Sequence, residues 1–226
     1  MHEGVLIAAE AVSRSYRQGG ASIAAVTSAT FRLHAQDRIA LMGRSGSGKS
    51  TLLHLMAGLD VPSSGALAWP ALGAPDTLLP EKVSLVFQAP SLLEPMTVSE
   101  NVALPLLLAK AAGDIDAAVS AALATFGLEG LARKLPEELS GGQMQRVAMA
   151  RAIVGNPRVI MAGEPTGQLD QATGHALLDA LIAHLSATHT ALVIATHDPS
   201  VAGRMDTIWR IERGVLAVPV MAREGL

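Results

Sequence analysis

The stretch "RIALMGRSGSGKSTLLHLMAGL", residues 38–59, decides how this chain folds. A short apolar run, "RIALM", reads as a buried strand, and "KSTLLHLMAGL" reads as the helix that follows. Between them, Gly43 and Gly48 bracket four residues and are followed by Lys49 and Ser50, the pattern of a phosphate-binding loop. Glycines at that spacing let successive backbone N–H groups converge on phosphate oxygens, an approach that bulky side chains would block. The cradle is assigned to Gly43, Arg44, Ser45, Gly46, Ser47, Gly48, Lys49, Ser50 and Thr51. Lys49 is expected to reach the β- and γ-phosphates and Ser50 to ligate magnesium, with the helix N-terminus favouring negative charge. A flexible glycine/serine turn is the competing reading, and the strand before and helix after it argue against that.

Working outward, the chain alternates short β-branched runs with longer Ala/Leu-rich periodic ones, an α/β pattern. "KVSLVFQ" (82–88) reads as a strand, and Thr97 with Glu100 forms a capping box that opens a helix through "ENVALPLLLAKAA" (100–112). "DIDAAVSAALATF" (114–126) reads as a helix stopped at Gly127, and another helix runs from "SGGQ" to the breaker "GNP" at 155–157. The strand "RVIMA", the loop "GEPTGQLD", a helix through 172–187 and the strand "ALVIAT" follow. Two strands around Glu212, Arg213 and Gly214 end the pattern. The expected organisation is one domain over 1–226, with a core of about 1–88 and 158–226 interrupted by a helical subdomain over about 89–157.

The chain has 226 residues, half of them hydrophobic, and a net charge of −3. Mixed charge with no basic excess argues against a nucleic-acid partner. Absence of cysteine excludes a disulfide framework and thiolate metal sites and fits a cytoplasmic setting. The N-terminus lacks the pattern of a secretory signal. The longest apolar run, "VALPLLLA", falls far short of the roughly 20 residues needed to span a bilayer. Any membrane role must go through a partner.

Downstream motifs narrow the field. The phosphate loop, Phe87–Gln88, "LSGGQ" at 139–143, "GEPTGQLD" at 163–170 and "ATHD" at 195–198 occur in that order. Together they resemble the nucleotide-binding subunit of ABC transporters, closest in look to the lipoprotein-releasing and macrolide-export type. The resemblance implies a P-loop NTPase fold of the ABC ATPase type, with ATP and Mg2+ as cofactors. It makes Tyr16 the aromatic that stacks on adenine, Gln88 a contact to magnesium and the attacking water, and Glu164 the carboxylate that polarises that water. His197 is implied to contact the γ-phosphate. Ser140, Gly141, Gly142 and Gln143 are implied to bind the γ-phosphate on an opposite subunit, and Asp170 to meet that subunit. Plainer readings stand beside these: a half-buried tyrosine, a strand-end glutamine, a turn histidine, and helix caps at Ser140 and Asp170.

One position departs from the family pattern. The residue before the catalytic glutamate is normally an aspartate that holds magnesium, and here it is Gly163. Sliding the register by one would make Glu164 the metal ligand and put Pro165 where the base belongs, so the unshifted reading is preferred. Magnesium could still be held by Ser50, Gln88, nucleotide oxygens and water. ATP binding with weakened hydrolysis is the expectation; tolerance of glycine with Glu164 or water compensating is the alternative.

The resemblance further implies a homodimer, or pairing with a related ATPase subunit, and an integral membrane permease that places the chain peripherally on the inner face of the membrane. An ATP-sensing, poorly hydrolysing module that signals by dimer closure is the second reading. A soluble ABC protein of the ribosome or DNA type would bring a second cassette or coiled-coil arms, for which 226 residues leave no room.

Overall fold

Two adjacent glycines, Gly19 and Gly20, turn the chain between its first two strands in the computed structural model. Both have positive φ, 56° and 86°, as a tight hairpin turn of the type matching strand twist requires. They join β1 (Val5–Gln18) to β2 (Ala21–His34) in antiparallel register, with Tyr16 opposite Ile23. The structure describes residues 4–217 and 220–221. Contacts group the chain into two units, one of Met1–Leu78 with Ala191–Leu226 and one of Leu79–Thr190.

In the first unit the hairpin is followed by β3 (Arg38–Met42), the phosphate loop, α1 (Lys49–Met56) and β4 (Ser64–Ala68), which pairs antiparallel with β1. The second unit begins with β5 (Val83–Val86) and α2 (Val98–Leu108). The expected capping box is present: the Thr97 hydroxyl accepts from the Glu100 N–H at 3.3 Å, and Glu100 Oε2 accepts from the Thr97 N–H at 2.7 Å. The helix stops earlier than the sequence pattern, because Lys110 adopts φ 51° and the N–H groups of Lys110 and Ala111 return to the carbonyls of Leu107 and Leu106. That double closure ends a helix even without glycine.

The same unit continues with α3 (Ile115–Thr125), ended by Gly127 at φ 63°, then α4 (Gly141–Ile153), β6 (Val159–Gly163) and α5 (Gln171–Ser186). β5 and β6 pair in parallel, with Val86 opposite Ala162. Asn101, fully buried, clasps the loop before α2: it accepts from the Leu93 N–H at 2.8 Å and donates to the carbonyls of Leu93, Met96 and Thr97. Arg151 of α4 donates to the Ser91 carbonyl at 2.8 Å, so the segment after Gln88 is pinned at two places.

The chain then returns to the first unit with β7 (Ala191–Thr196), α6 (Pro199–Ala202), β8 (Thr207–Glu212), β9 (Val215–Leu216) and β10 (Val220–Met221). Its strands run in the order β4-β1-β2-β9-β8-β3-β7, with β10 against β8. β3 lies parallel to both β7 and β8. All six residues of β7 are buried, as expected of a parallel strand covered on both faces. The pair of end strands around Glu212–Gly214 forms as the sequence indicates; Val218 and Pro219 of that tail lie outside the described residues. Among the described residues no helix is long and apolar enough to cross a membrane.

Candidate functional site

The first unit carries the phosphate loop. A Cβ on Gly43 would run into the Ile211 carbonyl oxygen, and one on Gly48, the left-handed residue before α1 at φ 109°, into the Ala25 carbonyl oxygen. Neighbouring backbone therefore dictates both glycines of the motif. The first intrahelical bond of α1 runs from the Leu52 N–H to the Gly48 carbonyl at 2.9 Å, so the N–H groups of Lys49, Ser50 and Thr51 precede the helix's own acceptors. Lys49, 9% exposed, arches back over the loop and donates to the carbonyls of Gly43 at 2.7 Å and Arg44 at 3.2 Å. Ser47 Oγ is buried with no hydrogen-bond partner. A buried hydroxyl left unsatisfied in a glycine-rich loop before a helix N-terminus is a surrounding that an anion can complete. Arg44, Ser45, Gly46 and Ser50 are exposed and Thr51 is half-buried.

His197 belongs to the same unit. It follows β7 and lines, with Met42, Gly43, Arg44, Arg210 and Glu212, a cavity of about 210 Å³ beside the start of the loop. The turn that presents it is held by the Thr196 hydroxyl, which accepts from the Asp198 N–H at 3.0 Å, and by the Asp198 cap of α6. Tyr16, 39% exposed, stands near the turn end of β1. Its hydroxyl donates to Asp60 Oδ2 at 2.7 Å, and Arg14 engages both Asp60 oxygens, Nε to Oδ2 at 2.9 Å and Nη2 to Oδ1 at 2.7 Å. The Arg14 guanidinium carbon lies 4.6 Å from the Tyr16 ring centroid. Partial burial would push the Asp60 carboxyl up, but hydrogen bonds from Tyr16, Arg14 and the Val61 N–H outweigh it and hold the group below its ordinary value. No spacing rule connects positions 14, 16 and 60, and sequence reading missed Arg14 and Asp60.

The second unit carries the other motif residues. Gln88 is exposed just beyond β5, and Gly163 closes β6. A Cβ on Gly163 would come no nearer than 3.6 Å to the Gln88 nitrogen and 3.8 Å to the Val86 oxygen, ordinary van der Waals contact. Its φ lies outside the left-handed region, so neither space nor backbone demands glycine there. Glu164, by contrast, has φ 49°. A non-glycine residue in that region costs about 1–2 kcal/mol, strain typical of functional turns. Its carbonyl accepts from the Gly167 N–H at 3.0 Å, closing the turn into "GQLD".

Ser140 caps α4 in a capping box with Gln143: its hydroxyl accepts from the Gln143 N–H at 3.2 Å and Gln143 Oε1 accepts from the Ser140 N–H at 2.8 Å. The helix-cap role is thus present in full, with Ser140 exposed and Gly141, Gly142 and Gln143 half-buried. A Cβ on Gly142 would stand 2.8 Å from Leu169, so this glycine lets the "GQLD" loop pack close to the α4 start. Asp170 caps α5, its carboxylate accepting from the Thr173 N–H at 3.0 Å. Those hydrogen bonds from Thr173 hold its carboxyl below the ordinary range. Among the described residues no group of three His, Cys, Asp or Glu side chains gathers as a metal cluster.

Comparison with known proteins places the chain in a family. A family profile described as "ABC transporter" matches residues 26–167. The lipoprotein-releasing system ATP-binding protein LolD of Pseudomonas syringae pv. tomato is 39% identical, over 96% of this chain and 99% of its own length. LolD of Legionella pneumophila (strain Lens) is 38% identical over 94% and 97%. Among solved structures, the dimeric bacterial ABC transporter cassette MJ0796 superposes with a TM-score of 0.89 at 31% identity, covering 97% of this chain and all of that one. The dimeric post-hydrolysis state of the same cassette, bound to ADP and Pi, gives 0.86 at 30% identity over the same shares. With its phosphate loop, α/β fold and near-full-length relatives, the chain belongs to the ABC transporter family and is an ATPase cassette of the P-loop type.

Proposed function

We propose that this chain is the ATP-binding and ATP-hydrolysing subunit that drives a membrane ABC transporter by nucleotide-dependent dimerisation, with hydrolysis weakened by Gly163. The phosphate loop carries the proposal: Ser47 Oγ is buried and unpartnered, Lys49 lies over the loop, and two glycines are forced by neighbouring carbonyls. Family membership supports the rest. Gly43 to Thr51 bind the phosphates, Tyr16 stacks on adenine, His197 holds the γ-phosphate, and Glu164 takes up a proton from the attacking water. The backbone strain at Glu164, φ 49°, supports that last role, since residues held in that region cluster at active sites.

Ser50 and Gln88 are the residues proposed to hold magnesium, and their neutral oxygens suit a hard cation that keeps most of its waters. Bound with the nucleotide, magnesium would neutralise phosphate charge. Gly163 withholds a carboxylate from that set. Ser140, Gly141, Gly142 and Gln143, presented on the helical segment over about 89–157, close the site of a second copy or a related subunit, with Asp170 at the contact. The relatives named for lipoprotein release support a permease partner and a peripheral place on the cytoplasmic membrane face.

Titration calorimetry with ATP on the full chain, with light scattering of the same sample, tests the reading. ATP binding that Lys49→Ala abolishes, together with ATP-driven dimers, is expected. A chain that binds no ATP, or binds it unchanged in Lys49→Ala, contradicts it. Gly163 favours a second reading, an ATP sensor that closes without appreciable turnover, which persistent dimers in ATP and magnesium would indicate.

A further inference from the structure

We propose that Arg14 and Asp60 are positioning residues that lock Tyr16 as a one-sided platform for a purine base, Arg14 covering one face of the ring and the base taking the other. This rests on the reading of Tyr16 as the adenine-stacking residue.

An aromatic ring near the exposed end of a hairpin is free to turn, and ordering such a side chain on binding costs about 0.5–1.5 kcal/mol. Here the ring is already ordered. Its hydroxyl is anchored on Asp60 at 2.7 Å, which fixes the ring's long axis. Asp60 cannot swing in response, because the Arg14 fork grips both of its oxygens and the Val61 N–H donates to Oδ1 at 2.8 Å. Arg14 and Tyr16 are two apart on β1 and so project from the same side of the strand, which brings the guanidinium to 4.6 Å from the ring centroid. One face of the ring is thereby closed, and a planar base is directed to the other.

The anchor's location has a mechanical consequence. Asp60 lies four residues beyond the last residue of α1, the helix whose first turn forms the phosphate cradle. Base platform and phosphate cradle are thus joined through α1 and the short turn that follows it. Arg14 also cancels the Asp60 charge, so the platform sets no unpaired carboxylate near a polyphosphate ligand. Stacking reads the π-face rather than the base edges, so the platform serves purine nucleoside triphosphates as a class.

The test compares ATP with inorganic tripolyphosphate, which has phosphates and no base, by titration calorimetry on the full chain with magnesium. Tyr16→Ala is expected to weaken ATP about 10-fold or more, as loss of a stacked aromatic does, with tripolyphosphate unchanged. Asp60→Ala and Tyr16→Phe are expected to weaken ATP about 3- to 10-fold, the range of the ordering cost, again with tripolyphosphate unchanged. If Tyr16→Ala loses ATP affinity while Asp60→Ala and Tyr16→Phe do not, the platform stands and the positioning role falls. If Tyr16→Ala binds ATP normally, both fall. Equal loss of ATP and tripolyphosphate in Asp60→Ala assigns Asp60 to stability alone and overturns the proposal. Should Asp60→Ala fail to fold, Tyr16→Phe, which removes one oxygen atom, decides.

Discussion

Gly163→Asp supplies the carboxylate that the family places before its catalytic glutamate. The structure permits the change: a Cβ there meets only the Gln88 nitrogen at 3.6 Å and the Val86 oxygen at 3.8 Å, and the backbone is outside the left-handed region. Stability should therefore move by no more than about 0.5–1 kcal/mol, a melting shift of no more than about 2–4 °C for a chain of this length. A partner to a metal site is worth roughly 10- to 100-fold in affinity or activity, about 1.4–2.8 kcal/mol. The assay is steady-state ATP turnover of the chain assembled with the proposed permease partner, titrated with magnesium. We expect Gly163→Asp to lower the magnesium concentration at half-maximal rate, or raise the maximal rate, by that factor. A folded variant with the wild-type magnesium curve and turnover would refute the claim that the missing carboxylate limits this enzyme.

Asn101→Ala strips the clasp from the loop between Gln88 and α2, leaving the Leu93 N–H and two carbonyls of that loop without their buried partner. Chemical denaturation should show a loss of about 2–4 kcal/mol, and a loss under about 0.5 kcal/mol would mean the loop is held otherwise. Asp170, whose carboxyl is lowered by its cap bonds to Thr173, stabilises the fold above its unfolded pKa of about 3.9, and this is lost as pH falls through the lower folded value. Melting curves from pH 7 to 3 should decline less steeply in Asp170→Asn, which keeps the cap acceptor without titrating; parallel declines would count against the cap.

How much of this was legible beforehand follows from the range of the interactions. The phosphate loop, the Thr97–Glu100 box and the Gly127 stop are local, and each formed where its residue chemistry put it. The β1–β2 hairpin escaped the reading because its strands are alanine-rich and broken by register shifts, with Ala11 and Ser28 at positive φ, so no clean alternation survives. Gly19–Gly20 was the signal that could have found it. Helix α2 ran short because a lysine took the left-handed position usually left to glycine. The Arg14–Asp60–Tyr16 cluster and the packing of Leu169 over Gly142 depend on contacts between residues far apart in the chain, and a single sequence carries no trace of those.

We propose that this chain spends ATP through Glu164. The decisive measurement is single-turnover hydrolysis by the chain with the proposed permease partner, wild type beside Glu164→Gln. Loss of a positioned general base should slow the chemical step about 10²- to 10⁴-fold while ATP still binds and the closed dimer accumulates. Equal hydrolysis rates in the two proteins would contradict the account.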